Sequence, residues 1–378
     1  MPLTARRPPW PVAAALACLV LAALGAWLLI GRGPAEVAPG IEGPALAFAE
    51  FGAVADRVYL ASPLNPADRR LIATVDHVEG WGINPAFSVA RGLAAYTVLP
   101  PGSIPRRDSP AELWLLDLRS GVPLRLARDA DLLAPPVFDL EGRKLLYRST
   151  RPDGRQELVS VDLARQVRRP VHAYEGGFGL HPIGFAADGA VVFAELSAKG
   201  TDVYRVREGA PPVLVAHASD QIARDWRVSP GATQLSFLAP ELHAERWVHR
   251  ASVLDIAGGA ARPLSATPAP LAEQFGPIWT PDGRAVTLGR EPLDDASAAA
   301  LTVTLDGGAA EELASPRVGF DVPVAWSPTG GYLVARSFDG ASSYQPGRES
   351  VVVIAEDGSR IEVATASEVI FIGWVARG

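Results

Sequence analysis

From Pro85 onward the chain alternates short apolar or aromatic runs with turns built from Ser, Pro, Asp and Gly, and the alternation repeats. The phrase is clearest in PIWTPDGRAVTL (277–288) and PVAWSPTGGYLV (323–334): an apolar strand, a tight turn, a second apolar strand. Weaker copies are PAFSVARGLAAY from Pro85, PVFDLEGRKLLY from Pro136, PIGFAADGAVVF from Pro182 and WRVSPGATQLSF from Trp226, and a last one begins in FIGWVARG. Short apolar runs bounded by such turns predict strands, and Asp-Gly pairs at 153, 188, 282, 306, 339 and 357 predict hairpin turns between them.

The residue before each turn gives the anchors Phe87, Phe138, Phe185, Val228, Trp279, Trp326 and Trp374, at intervals of 51, 47, 43, 51, 47 and 48. A repeat of this length suits a four-stranded propeller blade. Trp374 is followed by only four residues, so its blade lacks three strands, whereas ALAFAEF (45–51), RVYLASP (57–63) and RLIATVD (70–76) form three strands with no first strand before them. Joining the two ends closes a ring and leaves no long sheet edge exposed. The expected fold is all-β: a seven-bladed β-propeller over 45–378, closed by pairing of its N- and C-terminal strands and preceded by one transmembrane helix.

That helix is expected over 11–30, PVAAALACLVLAALGAWLLI, which carries no charge. Twenty residues rising 1.5 Å each match a hydrocarbon core of roughly 30 Å. Arg6 and Arg7 before the run, and Trp10 and Trp27 near its ends, predict a cytoplasmic tail (1–10), a transmembrane signal anchor (11–30) and a Gly/Pro-rich tether (31–44) reaching about 20 Å. A cleaved signal peptide is the alternative reading, and either one exports the ring. The expected location is a single-pass membrane protein with its propeller outside the cytoplasm.

Composition narrows the partners. A formal net charge of −7 and a pI near 5.5 remove nucleic acid as a partner, since phosphate recognition draws on a basic surface. The single cysteine, Cys18, lies in the apolar run and leaves the ring without a thiol for disulfides, catalysis or metal.

In an antiparallel four-stranded blade the B–C loops and D–A linkers share one face, and the A–B and C–D turns share the other. The segments 100–111, 239–245, 290–297 and 338–350 read as long, dissimilar B–C loops, so the functional face is expected there. The D–A linkers repeat an acid followed by an aromatic or apolar residue: Glu79 with Trp81, Asp131 with Leu133, Glu175 with Phe178, Asp220 with Ile222, Glu273 with Phe275 and Glu368 with Phe371. The linker before the last full blade has Phe320 and Asp321 instead. A rim of carboxylates around the channel mouth suits a basic peptide, an amine or a cation, while solvated acids and strand-end caps are the plainer reading. His77, His172, His181 and His217 lie in or beside the same linkers, with His243 in the fifth blade's loop, and clustered imidazoles are metal ligands. Their spacing matches no metal signature. The chain has no G-x-S-x-G elbow and no H-E-x-x-H helix, so neither a catalytic residue nor a cofactor is expected.

Trp-Ser-Pro-Thr-Gly-Gly at 326–331 and Trp-Thr-Pro-Asp-Gly at 279–283 resemble the WD40-like (PD40) repeat of TolB-type propellers, found also in the propeller domains of prolyl-oligopeptidase-type peptidases. The resemblance covers roughly 80–378 and implies a fold more than a function. The expectation is a non-catalytic, membrane-anchored scaffold binding a protein or peptide at the cell envelope. TolB-like lyases of acidic sugars, which carry a central His-bound metal, imply the alternative: a metal-dependent lyase or hydrolase of acidic carbohydrate using the four histidines.

Overall fold

The computed structural model describes residues 44–375 apart from 89–90, 107–108, 152, 175–177, 244, 265–271, 293–297, 307–309 and 366–368. Among these described residues the regular structure is twenty-eight strands. β1 (Ala45–Glu50), β2 (Ala55–Ala61) and β3 (Arg69–Asp76) belong to the first blade. The second is β4 (Asn84–Ser88), β5 (Leu93–Val98), β6 (Pro110–Asp117) and β7 (Pro123–Asp131), and the third is β8 (Val137–Phe138), β9 (Lys144–Thr150), β10 (Gln156–Asp162) and β11 (Val167–Tyr174); a single pair, Ala130 opposite Ser149, links β7 to β9 and joins the two into one sheet. The fourth holds β12 (Gly179–Phe185), β13 (Val191–Ser197), β14 (Gly200–Val206) and β15 (Val213–Ser219), and the fifth β16 (Arg224–Val228), β17 (Gln234–His243), β18 (Arg246–Asp255) and β19 (Arg262–Pro263). The sixth is β20 (Ala272–Trp279), β21 (Ala285–Pro292), β22 (Leu301–Thr304) and β23 (Ala310–Glu312), and the seventh β24 (Phe320–Trp326), β25 (Tyr332–Phe338), β26 (Glu349–Ala355) and β27 (Arg360–Thr365).

The last strand, β28 (Val369–Val375), completes the first blade by pairing antiparallel with β1, from Ala45 opposite Val375 to Glu50 opposite Val369. This closes the ring. Gly373 is required in that strand, because a Cβ there would lie 2.1 Å from the ring of Phe87 in the next blade.

Period-two alternation sends successive side chains of a strand to opposite neighbours, so each blade is apolar on both faces. Ala45, Ala47 and Ala49 pack toward the second blade, while Leu46 and Phe48 pack toward the seventh. The core is accordingly seven apolar clusters, one in each seam between blades. They are unequal. The seam between the fourth and fifth blades holds thirteen buried residues, and that between the sixth and seventh only five.

Indole N–H groups latch three of the seams. Trp279 donates to the Arg227 carbonyl (3.2 Å), Trp326 to Thr287 Oγ1 (2.9 Å) and Trp374 to the Ala325 carbonyl (3.4 Å), each on the preceding blade. Trp226 fills the same kind of place, stacked on Phe237 at 4.5 Å, yet its Nε1 is the only buried side-chain nitrogen or oxygen without a partner among the described residues.

The structure does not bear out the expected transmembrane helix. Among the described residues all regular structure is strand, and no helix of the structure is long and apolar enough to cross a membrane. Residues 11–30, on which that expectation fell, lie outside the described residues. Apolar length speaks to partitioning out of water, and carries no information about backbone conformation by itself.

Candidate functional site

Lettering the strands of a blade A to D from the channel outward, β28, β4, β8, β12, β16, β20 and β24 are the A strands. The D–A linkers and B–C loops then rise on one face. There the rim carboxylates divide into two groups. Asp131, Glu273 and Asp321 are built into the scaffold. Arg148 Nε donates to Asp131 Oδ2 (2.9 Å), whose other oxygen accepts the Leu133 N–H (2.8 Å). Glu273 accepts the His249 N–H (2.9 Å), lies 2.7 Å from its Nδ1, and has Arg224 at 3.7 Å. Asp321, 1% exposed, takes two bonds of 2.8 Å from Arg360. Glu79 and Asp220 instead reach solvent.

The apolar partners divide similarly. Phe275 and Phe320 stack at 5.3 Å, and Phe320 stacks again on Phe338 at 5.0 Å, so these rings are internal packing. Trp81 is half-buried, whereas Phe178 stands 64% exposed. Glu175 and Glu368 lie outside the described residues.

The histidines do not converge. His77 is buried with Asp56, its Nε2 3.1 Å from Oδ1 and its Nδ1 2.7 Å from the Val78 carbonyl, while Asp56 Oδ2 accepts the Ile83 N–H (2.8 Å). His172 meets Glu195 (2.8 Å) and stacks on Phe193. His217 bridges Asp202 (2.7 Å) and Asp220 (3.0 Å), and its hydrogen bonds to these two carboxylates raise its pKa. His181, on β12, is pushed down to about 4, first by burial and then by the charges of Arg148 and Arg227. His243 ends β17 in a further blade. Among the described residues no group of three or more His, Cys, Asp or Glu is placed to hold a metal. The described residues thus do not fit a central histidine-bound ion.

One loop expectation changes. The segment 239–245 is no irregular loop: β17 and β18 run as a hairpin of two ten-residue strands, paired from Gln234–Asp255 to His243–Arg246, that overhangs the face. Ladder bonds remain available past the blade's edge, so the strands continue. At its tip Leu242 stands directly opposite Trp247, 61% and 49% exposed. Arg246 reaches over the ring of Tyr344 at 5.6 Å in the seventh blade's B–C loop, where Ser343 N–H donates to Glu291 (2.7 Å) on β21. The pair's signal in sequence is slight: an alternation from Leu238 to Leu242 running past the residues the blade needs.

Exposed large apolar side chains concentrate on this face. Phe51, Val54, Ile104, Leu133, Phe178, Ile222, Val318 and Tyr344 lie in its loops and linkers, beside the Leu242–Trp247 pair, whereas the opposite face has Leu64, Val122 and Leu140.

No family model matches the chain, and no curated protein matches it. Solved structures do. The chain is similar to oligogalacturonate lyase in complex with manganese (14% identity over 86% of each chain, TM-score 0.54). It is also similar to the β-propeller domain of the Trilobed protease from Pyrococcus furiosus (10% identity over 75% of this chain and 85% of that one, TM-score 0.52), described as having an open velcro topology. TolB from Acinetobacter baumannii matches at 15% identity over 77% of this chain and 67% of that one, with a TM-score of 0.48. At these identities the likeness is one of fold: the chain is a β-propeller, with TolB among its structural neighbours.

Proposed function

We propose that this ring is a non-catalytic scaffold that docks a protein or peptide segment on the face bearing the D–A linkers and B–C loops. The observation that carries the reading is the gathering of exposed apolar side chains there, at the overhanging Leu242–Trp247 pair and at Tyr344. A surface protein leaves such groups in water mainly where a partner covers them, and aromatic side chains with arginine are the usual anchors of that contact. Glu79 and Asp220, the rim acids still open to solvent, favour a partner with basic residues beside its apolar ones. The apolar run 11–30 after Arg6 and Arg7 supports work outside the cytoplasm, which fractionation of the native cells tests.

A photoreactive side chain at Trp247 in the cell, with Leu140 on the opposite face as control, tests the docking face. Discrete cross-linked species at 247, lost when Leu242→Asp is added, are expected. Equal products at 140, or none at 247, overturn the proposal.

A further inference from the structure

The opposite face carries a feature that docking on the B–C side leaves unused. Between the sixth and seventh blades the A–B and C–D turns part to form a cleft of about 1290 Å³. It coincides with the seam that has the smallest buried core among the described residues, five side chains. The outer strand on its sixth-blade side, β23, pairs with β22 at three positions among the described residues. A short outer strand alone does not open a seam: β19 is shorter, yet nine buried residues fill the seam behind it.

The cleft's floor is apolar and its edge acidic. Leu333 and Ile354 are buried at the bottom, and Leu305, Leu313 and Trp326 are half-buried above them. Asp282, Asp306, Glu311, Glu312 and Glu356 line it against one cation, Arg284. Glu312 pairs with Arg290, and Asp282 locks its own turn by accepting from Thr280 Oγ1 (2.7 Å) and the Arg284 N–H (3.1 Å). The carboxylates of Asp306, Glu311 and Glu356 have no hydrogen-bond or ionic partner among the described residues, and all three residues are exposed.

We propose that this cleft is a second docking site, for an extended protein segment that alternates apolar residues with lysine or arginine. An extended strand sends alternate side chains to opposite sides, so apolar residues meet Leu305, Leu313 and Trp326 while basic ones meet the three free carboxylates. The site is independent of the face proposed above, and either can fail without the other.

A fluorescent nonapeptide of alternating valine and lysine, titrated into the full chain by anisotropy, tests it. Saturable binding that weakens at least tenfold in Asp306→Asn/Glu311→Gln/Glu356→Gln is expected, with Leu242→Ser/Trp247→Ser unchanged and a valine–glutamate nonapeptide not binding. Because the three acids are exposed, the triple variant should melt like the wild type, and a photoreactive residue in the peptide should label the 305–326 region. Absence of saturable binding, a triple variant within twofold of wild type, equal binding of the glutamate peptide, or labelling spread over other seams each overturns the proposal. Loss of binding only in the Leu242/Trp247 variant would assign the peptide to the other face and equally overturn it.

Discussion

Trp226 and Trp279 form a matched pair on which the latching of blades can be measured. They are 5% and 7% exposed, and both close a seam with an indole ring, but only Trp279 has a partner for its N–H. Replacing each with Phe removes the same atoms, so the transfer and cavity costs largely cancel when the two variants are compared. What remains is the N–H. At Trp279 a hydrogen bond worth about 0.5–1.5 kcal/mol net is lost, and the Arg227 carbonyl loses its indole donor. At Trp226 an unpaired buried donor disappears, which relieves about 1–3 kcal/mol. Trp226→Phe should therefore retain roughly 2–4 kcal/mol more stability than Trp279→Phe, on the order of 5 °C in Tm at about 2 °C per kcal/mol. Equilibrium urea unfolding with an unchanged m-value, supported by calorimetry, reads the difference. Equal losses, or a larger loss at Trp226, would refute the reasoning.

Other perturbations reach different parts of the ring. Deleting 369–378 removes the strand that pairs with β1 and the buried Trp374, so the transition should broaden and fall in temperature; a deletion melting as sharply and as high as the full chain refutes closure as a source of stability. Asp56→Ala strands the buried His77 ring and the Ile83 N–H, and should cost about 3–5 kcal/mol in urea unfolding, with a loss under about 1 kcal/mol counting against it. His181 has a folded pKa near 4, below its unfolded value, so the unfolded chain takes the proton first. Its penalty is absent above about pH 6.5 and grows as pH falls toward 4, to on the order of 3 kcal/mol. His181→Gln should flatten that part of the stability profile, and an unchanged acid slope would sink the assignment.

How far the fold could be read in advance follows from where the turns lie. Phe138, Phe185, Val228, Trp279 and Trp326 are the last residues of their A strands, and Phe87 and Trp374 the penultimate ones, because Ser/Pro/Asp/Gly turns fix where a strand must stop. The fifth blade shows the limit: Val228 ends the strand, but the seam is filled by Trp226, two residues earlier on the same side. The rim was harder. A linker acid looks the same whether solvated or engaged, and the partners that engage Asp131 and Asp321 stand 17 and 39 residues away, on strands whose register local pattern does not reveal. The sequence at 239–245 conceals its hairpin because Pro240, Glu241 and His243 suit a turn as well as an edge strand. The helix over 11–30 rests on an uncharged apolar run and its flanking arginines and tryptophans, none of which fixes a backbone conformation.

Closure by β28 also sets a timetable for synthesis. β2 follows β1 at once, but β28, its partner on the other side, emerges from the ribosome more than three hundred positions after it. At about 5–20 residues per second that is a wait of roughly 15 to 70 s. Throughout it, β1 offers Leu46, Phe48 and an unpaired ladder edge to whatever is nearby. The nascent chain is then a template for other nascent chains, and its yield should depend on holding factors and on translation speed more steeply than the stability of the finished ring would suggest.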